Sequence, residues 1–176
     1  MIPMRKLLRF SVVVAFAAVS GCGETPATPL EPGPASEDLI GGVLRLVGET
    51  LPVLNTVSSA TIGPEGGTLN IAGGHSLYFP AGALAQPTTI VAVRDPLQLV
   101  VNFSPEGLVF PDSARPVLSF DYSTAGLLTQ LNALNLNVVY LDGFQLLDVL
   151  PTTVDTQEKV VQAQLEHFST YALATD

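Results

Sequence analysis

The sequence predicts an all-β protein with a single β-sandwich domain, and three observations support this prediction. Short apolar segments alternate with Gly- and Pro-rich turns such as Gly63–Gly67, where proline presets φ and the glycines accept positive φ. Asp142-Gly143 is typical of a type I′ hairpin turn. Between Lys159 and Glu166, apolar and mostly polar residues alternate, which predicts a strand with one face in water.

The predicted sandwich runs from Val57 to Asp176, and about 120 residues are enough for one hydrophobic core. A short helix is predicted between Thr124 and Leu134. Strands are predicted at 60–63, 68–71, 75–79, 88–94, 97–103, 117–122, 136–141, 144–150, 159–165 and 168–175. Six strand residues are expected to share one core: Leu77, Phe79, Leu118, Phe120, Val139 and Leu165.

Residues 1–21 have the organisation of a signal peptide for export. Arg5, Lys6 and Arg9 precede a short apolar run that begins at Phe10, and small residues follow at Ser20-Gly21. The apolar run is about half of the roughly 20 residues that a membrane-spanning helix needs. A cleaved signal is therefore favoured over a permanent transmembrane anchor.

The segment Val19-Ser20-Gly21-Cys22 resembles the lipobox of bacterial lipoproteins. The resemblance implies cleavage before Cys22, a diacylglycerol thioether on its sulfur, and acylation of its new amine, with palmitate as an expected chain. Each buried CH₂ contributes about 0.8 kcal/mol, so two or three acyl chains would hold the protein on a membrane. Gly23 instead of Asp resembles the sorting pattern for the outer rather than the inner membrane of Gram-negative cells.

Residues 22–36 contain four prolines and predict an extended tether. For residues 37–56 two interpretations stay open. Apolar residues from Leu39 to Leu51 follow a 3.6-residue spacing, which indicates an amphipathic helix that packs on the domain or binds a partner or membrane, and Pro52 would end it. Interior glycines such as Gly48 disfavour a helix, so this segment could instead be a loosely ordered connector.

The charge of the chain excludes one class of partner. The full sequence has seven basic and 16 acidic residues, and loss of the signal leaves four basic residues and a net charge of −12. Four scattered cations cannot form the basic patch that neutralises phosphates, so nucleic acid is excluded as a partner. The acidity is that of a soluble domain outside the cytoplasm.

Four short motifs resemble, in order, those of the ZU-five domain, a β-sandwich module of ankyrins, netrin receptors and many bacterial surface proteins. They are the turn Gly63–Gly67, the bend Pro80–Leu84, the Phe103–Gly107 step with Phe110 and Pro116 after it, and the closing segment His167–Ala172. The resemblance covers about Val57 to Asp176 and implies a β-sandwich that acts as an interaction or structural module.

The sequence carries no pattern that predicts a cofactor, a metal site or a hydrolase. Its two histidines, His75 and His167, lack the spacing of a zinc shell and are expected at strand starts. The acidic residues are spread over different loops rather than in a calcium-binding loop. Neither a Gly-x-Ser-x-Gly elbow nor a phosphate-binding loop is present.

The segment His167-Phe168-Ser169 carries a further implication of the family resemblance. Some relatives cut their own chain between the Phe and the Ser of such a segment by an N-to-O acyl shift. Here Ser169 would attack the carbonyl of Phe168, and His167 would take the proton. The alternative is a structural role in which Phe168 fills the core while His167 and Ser169 lead into the last strand.

These observations favour a lipid-anchored lipoprotein of the bacterial cell envelope that acts as a non-catalytic structural or protein-interaction module. A self-cleaving domain is the first alternative, and an envelope- or carbohydrate-binding sandwich is the second. The expected partners are the membrane, through lipid on Cys22, and an unidentified envelope protein or glycan. Tyrosines that face solvent together in a groove, from among Tyr78, Tyr122, Tyr140 and Tyr171, would favour the carbohydrate-binding alternative.

Overall fold

Two antiparallel sheets pack face to face and enclose one main core, which confirms the all-β sandwich. The computed structural model describes residues 44–50, 52–54, 56–143 and 145–175. The predicted signal peptide, Cys22 and tether lie outside these residues.

The strands in chain order are β1 Arg45–Leu46, β2 Val57–Ile62, β3 Gly67–Ile71, β4 His75–Phe79, β5 Thr88–Arg94, β6 Val100–Ser104, β7 Val117–Asp121, β8 Leu136–Asp142, β9 Gln145–Val149, β10 Thr152–Asp155, β11 Val160–Gln164 and β12 Thr170–Thr175. The helix α1 spans Leu127–Leu131, as predicted, and 3-10 turns occur at Asp112–Ala114 and Ala133–Asn135. All ten predicted strands have an observed counterpart. The four-residue strand β10 was not predicted, because its sequence Thr-Thr-Val-Asp is mostly polar.

The larger sheet has the order β2-β5-β6-β12-β8-β9, with β1 also paired to β12, and the smaller sheet has the order β10-β11-β7-β4-β3. The chain passes between the sheets at the Gly63–Gly67 turn, which was predicted correctly. The amide of Gly66 donates to the carbonyl of Gly63 at 3.0 Å. Gly66 has φ +81°, and a Cβ there would lie 2.3 Å from the carbonyl oxygen of Phe79. Only glycine therefore fits this crossing.

Five of the six predicted core residues share the main core, and the prediction for Val139 was wrong. Val139 is buried, but it belongs to a second apolar cluster with Leu44, Leu141, Ala172 and Ala174. Its neighbour Val138 packs into the main core instead. Successive strand residues point to opposite faces, and both faces of β8 are buried, so the sequence of β8 lacks the alternation that would reveal its orientation.

The helix interpretation of residues 37–56 was wrong for the described part of that segment. Arg45–Leu46 forms β1 against β12, and Gly48 and Glu49 form bridges to Gln98 and Ala125. Val47 is buried in the main core; its amide donates to Leu173 and its carbonyl accepts from Leu99. The segment lies on the same side of β12 as β6, next to the start of β6. The backbone bonds and burial gained there outweigh the weak helical preference of a Gly-containing sequence.

The hairpin between β8 and β9 is present, but its turn lies one residue later than predicted. Asp142 pairs with Gln145, so Asp142 is the last strand residue, and Gly143, with φ +59°, begins the turn. The larger sheet has a bulge between Tyr140 and Leu141. Because a bulge shifts the pairing by one residue, the turn position could not be counted from the sequence alone.

Candidate functional site

The His167-Phe168-Ser169 segment pairs with the stretch that follows β6. The amide of Phe168 donates to the carbonyl of Leu108 at 2.8 Å, and the carbonyl of Phe168 accepts from the amide of Gly107 at 3.0 Å. Val109 and His167 form a bridge. The segment is therefore a hydrogen-bonded continuation towards β12, although His167 itself precedes that strand. His75, in contrast, begins β4 as predicted.

Phe168 lies at the centre of an aromatic cluster in the core. Its ring stacks on Phe103 with centroids 5.2 Å apart and contacts the edges of Phe110 and Phe79 at 5.0 and 6.1 Å. Its exposed fraction is 1%. Such packing favours a fixed position for the peptide that follows Phe168.

The reacting groups required for self-cleavage are only partly brought together. Nδ1 of His167 lies 3.4 Å from the carbonyl oxygen of Phe168, and the amide of Gly107 donates to that same oxygen. Within the described ranges, the His167 ring has no hydrogen bond to the Ser169 hydroxyl. The backbone at Phe168 and Ser169 has no positive φ, since Lys159 is the one described residue other than glycine that does. The carbonyl thus has a donor, whereas the pair of nucleophile and base is not formed.

His167 also belongs to an aromatic group with Tyr140 and Tyr171. The His167 and Tyr140 rings meet edge to face at 4.9 Å, and the two tyrosine rings are 5.9 Å apart. The Tyr171 hydroxyl donates to the carbonyl of His167 at 2.7 Å. Burial, followed by the nearby Tyr140 and Glu166, raises the pKa of Tyr171, so this hydroxyl stays protonated and can hold the His167 backbone in place.

A cleft of about 500 Å³ opens beside this aromatic group, at the side of the sandwich where β9 leads into β10. Leu150-Pro151 carries the chain from the larger sheet to the smaller one, and the corner is held by the bond from the Leu150 amide to the Val138 carbonyl. After this corner, β10 pairs with β11 only as far as Ala163. The larger sheet supplies Tyr140, Asp148 and Tyr171 to the lining, and the smaller sheet supplies Val117, Gln162 and Gln164.

An ion pair borders the other end of the cleft. Arg115 bonds Glu166 at 2.8 Å and the exposed Asp112 at 2.7 Å. The bond with Asp112, together with the nearby Glu166, raises the pKa of the Arg115 guanidinium. Its Nε is shielded from solvent without a hydrogen-bond partner in the described structure. The cleft therefore combines aromatic rings and neutral amides with a fixed charge at one end.

A second polar cluster is sealed inside the opposite end of the sandwich. The Arg94 guanidinium donates to Glu49 and, at 3.0 Å, to the carbonyl of Ala72, and both charged side chains are buried. Nδ1 of His75 accepts the amide of Asp121 at 2.9 Å, while its Nε2 lies 3.8 Å from Glu49. Gly73 makes room for Arg94, because a Cβ there would lie 1.9 Å from its Nη1.

Burial, and then the positive charge of Arg94, lowers the pKa of His75 to about 4, against smaller opposing effects of Glu49 and Asp121. The ring is therefore neutral at physiological pH. The position of His75 was predicted correctly from the sequence, whereas Glu49 and Arg94, which are 45 residues apart in the chain, were not predicted to meet. The only signal in the sequence was that these two charged side chains lie within otherwise apolar segments, and this does not identify the partner of either one.

The tyrosines divide between the cleft and other surroundings. Tyr140 lines the cleft and is half-buried, Tyr122 and Tyr171 are buried, and Tyr78 is exposed on the smaller sheet. No two of these tyrosines therefore face solvent together in the cleft. Among the residues that the structure describes, no group of three or more His, Cys, Asp or Glu side chains could hold a metal ion.

No family model matches the chain, and no curated protein matches its sequence. The described part of the chain contains no helix that is long and apolar enough to cross a membrane.

Proposed function

We propose that this chain is a lipid-anchored, extracytoplasmic protein of the bacterial cell envelope, and that its ZU-five-like sandwich is a non-catalytic module that binds another envelope component. The cleft between β8, β9 and β11 is the observation that supports a binding role. Concave sites with aromatic walls and a few polar groups are the usual form of binding sites. The lipobox-like segment at Cys22 supports the anchor.

The cleft has the chemistry of a site for an uncharged or weakly charged partner. The half-buried rings of Tyr140 and His167 offer aromatic surface, and Gln162 and Gln164 offer amide donors and acceptors. Arg115 is already paired with two carboxylates, so little net positive charge is available for a strongly anionic ligand. A protein segment is the first candidate, and a neutral envelope glycan is the second, favoured by the ring of Tyr140 and the amides.

Self-cleavage between Phe168 and Ser169 is a third candidate. The amide of Gly107 supports it, because this group donates to the oxygen on which negative charge would develop. The regular hydrogen bonding on both sides of the bond opposes it, because a relaxed peptide lacks the strain that would favour an acyl shift. We therefore expect a chain that remains intact between Phe168 and Ser169.

Denaturing mass spectrometry of the mature protein tests the anchor and the cleavage together. We expect a chain that begins at a lipid-modified Cys22, and a Cys22→Ser variant that no longer partitions into detergent. Unchanged partitioning of that variant contradicts the anchor. A species that ends at Phe168 and disappears in Ser169→Ala contradicts the non-catalytic proposal.

Binding to defined probes tests the cleft. Purified peptidoglycan and soluble neutral oligosaccharides are compared with a library of unmodified peptides, and the exchange of backbone amides that line the cleft is followed by NMR. We expect Tyr140→Ala to weaken binding at least tenfold. Tyr78→Ala removes an exposed tyrosine from the other sheet and is the matched control. Equal loss in both variants, or binding that shifts only residues far from the cleft, argues against the proposed site.

A further inference from the structure

The connection between β7 and β8 exposes four leucines. Leu127, Leu128, Leu131 and Leu134 are 70, 75, 72 and 79% exposed. Isolated exposed leucines are ordinary on protein surfaces, whereas a group of this kind marks a surface that contacts something else. We call these four side chains the leucine face.

Other residues hold this connection on the domain, so the leucines are not needed for its folding. The carbonyl of Thr124 accepts the amide of Thr50 at 3.1 Å, and the Gln130 side chain accepts a hydrogen bond from Lys159 at 3.0 Å. Ala133 is buried in the main core. The spacing i, i+1, i+4 and i+7 places the four leucines on one side of the helical turns. The polar and small residues thus attach the connection while its large apolar residues face outwards.

Two neighbouring loops add exposed leucines at the same end of the sandwich. The amide of Glu49 donates to the carbonyl of Leu97, and the amide of Thr50 donates to the carbonyl of Thr124. Leu97 is 57% exposed, and Leu54 is 97% exposed. Exposed leucines therefore also occur in the loops that adjoin this connection.

The chain that leads from Cys22 enters the domain at this same end. Arg45 pairs with Thr175 at the end of β12, and Thr175 also pairs with Leu136, the first residue of β8. Leu134 lies two residues before that point. The described structure begins at Leu44, so the first described residues of the domain lie at the end that carries the leucine face.

The charge around this surface suits a lipid surface without net charge. Residues 122–141 contain no Asp, Glu, Lys, Arg or His. Asp95 and Asp155 beside this stretch accept backbone amides, whereas the Lys159 ammonium donates to the Gln130 side chain at 3.0 Å. Charges of both signs thus border the leucine face, so neither anionic nor cationic headgroups are favoured. An uncharged stretch rich in Leu, Asn and Thr can enter the headgroup region of a zwitterionic leaflet, where its amides and hydroxyls stay hydrated.

We propose that the leucine face lies on the lipid surface to which the acyl chains of Cys22 hold the protein. The inference rests on the proposed lipid anchor and adds an orientation to it. The loop end of the sandwich, with α1, contacts the membrane, and the opposite end projects away from it.

Site-specific fluorescence on the mature lipidated protein tests this orientation. Cys22 carries a thioether in the proposal, so an introduced cysteine is the only free thiol. Leu128→Cys is labelled with an environment-sensitive fluorophore, and the protein is reconstituted into phosphatidylcholine and phosphatidylethanolamine vesicles that contain brominated acyl chains. Val109→Cys is the matched control, because Val109 is 73% exposed and follows β6. The Leu97 loop precedes β6, so Val109 lies at the opposite end of the sandwich from the leucine face.

We expect a blue shift and at least threefold stronger quenching at position 128 than at position 109. Replacing Leu131 and Leu134 together by Gln should reduce that quenching to the level of the control without changing the melting temperature. Anionic lipid should not increase it.

The outcomes separate the two proposals. A protein that does not stay with the vesicles, or that carries label on Cys22, contradicts the anchor and the orientation with it. Stable anchoring with equal, weak quenching at both positions overturns the leucine face alone. A blue shift at position 128 that appears in detergent solution together with a dimer on size exclusion shows that a second copy covers the surface, and this also overturns the proposal.

Discussion

His75 and His167 have different surroundings: one histidine belongs to a buried polar cluster, and the other borders the cleft. His75 is sealed within the sandwich beside Arg94 and Glu49, and a backbone amide bonds its Nδ1. His167 is half-buried at the edge of the cleft, where its ring meets Tyr140 and its backbone is held by Tyr171. In the first cluster Arg94 and Glu49 are paired and closed off from solvent, although His75 Nε2 and Arg94 Nε have no hydrogen-bond partner in the described structure. The second leaves ring surface and polar groups available to a ligand.

Among the tests of this difference, the removal of Glu49 is expected to change the stability of the protein most. The substitution Glu49→Ala leaves the guanidinium of Arg94 buried without its carboxylate, which typically costs about 3–5 kcal/mol of stability. The free energy of unfolding from urea titrations measures it. Asp112→Ala removes the exposed partner of Arg115 and is the control, for which we expect almost no change. Equal losses in the two variants would show that the buried cluster is not specially dependent on its ion pair.

A smaller effect is expected from pH. The pKa of His75 is about 4 in the folded protein, against an ordinary value of 6.5 in the unfolded chain. Between these values the unfolded chain binds a proton that the folded protein excludes, so stability is complete above pH 6.5 and decreases as the pH falls towards 4. The full loss is about 3 kcal/mol, since each pKa unit corresponds to about 1.4 kcal/mol.

Urea titrations between pH 7 and 5 measure this slope while most carboxylates remain ionised. His75→Asn, which keeps an acceptor near the amide of Asp121, should flatten the slope that arises from His75. His167→Asn, the matched change in the cleft, should leave it in place. If His167→Asn flattens the slope instead, the buried and the accessible histidine have been assigned the wrong way round.

The smallest effect is expected at Tyr171. Tyr171→Phe removes the hydroxyl that donates to the carbonyl of His167, at a cost of about 1 kcal/mol. The ring remains, so the core around Phe168 should keep its packing. Thermal unfolding measures the loss, and Tyr78→Phe on the exposed face is the control. A loss as large as that of Glu49→Ala would mean that the cleft region depends on its polar contacts as strongly as the buried cluster does.

Elements whose signal is local were predictable from the sequence. The alternation around Val161, Ala163 and Leu165 predicted β11 and its buried face, because side chains on a strand point to opposite sides with a period of two. The turn at Gly63–Gly67 followed from the backbone freedom of glycine. The helix near Leu127–Leu131 followed from spacing, but its exposure did not, since a 3.6-residue pattern normally indicates a buried face.

Features that depend on distant partners were decided by tertiary structure. Residues 45–49 became extended because β12 and the chain before β6 offered them hydrogen bonds across more than a hundred and about fifty positions respectively. The pairing of Glu49 with Arg94, the assignment of Val139 to the second cluster, and the meeting of Tyr140 with His167 all depend on how the sheets pack. Composition, turns and strand periods are properties of neighbouring residues, and the sequence by itself determined those. Which polar groups share a site depends on chain crossings and sheet packing, and only the folded chain specifies these.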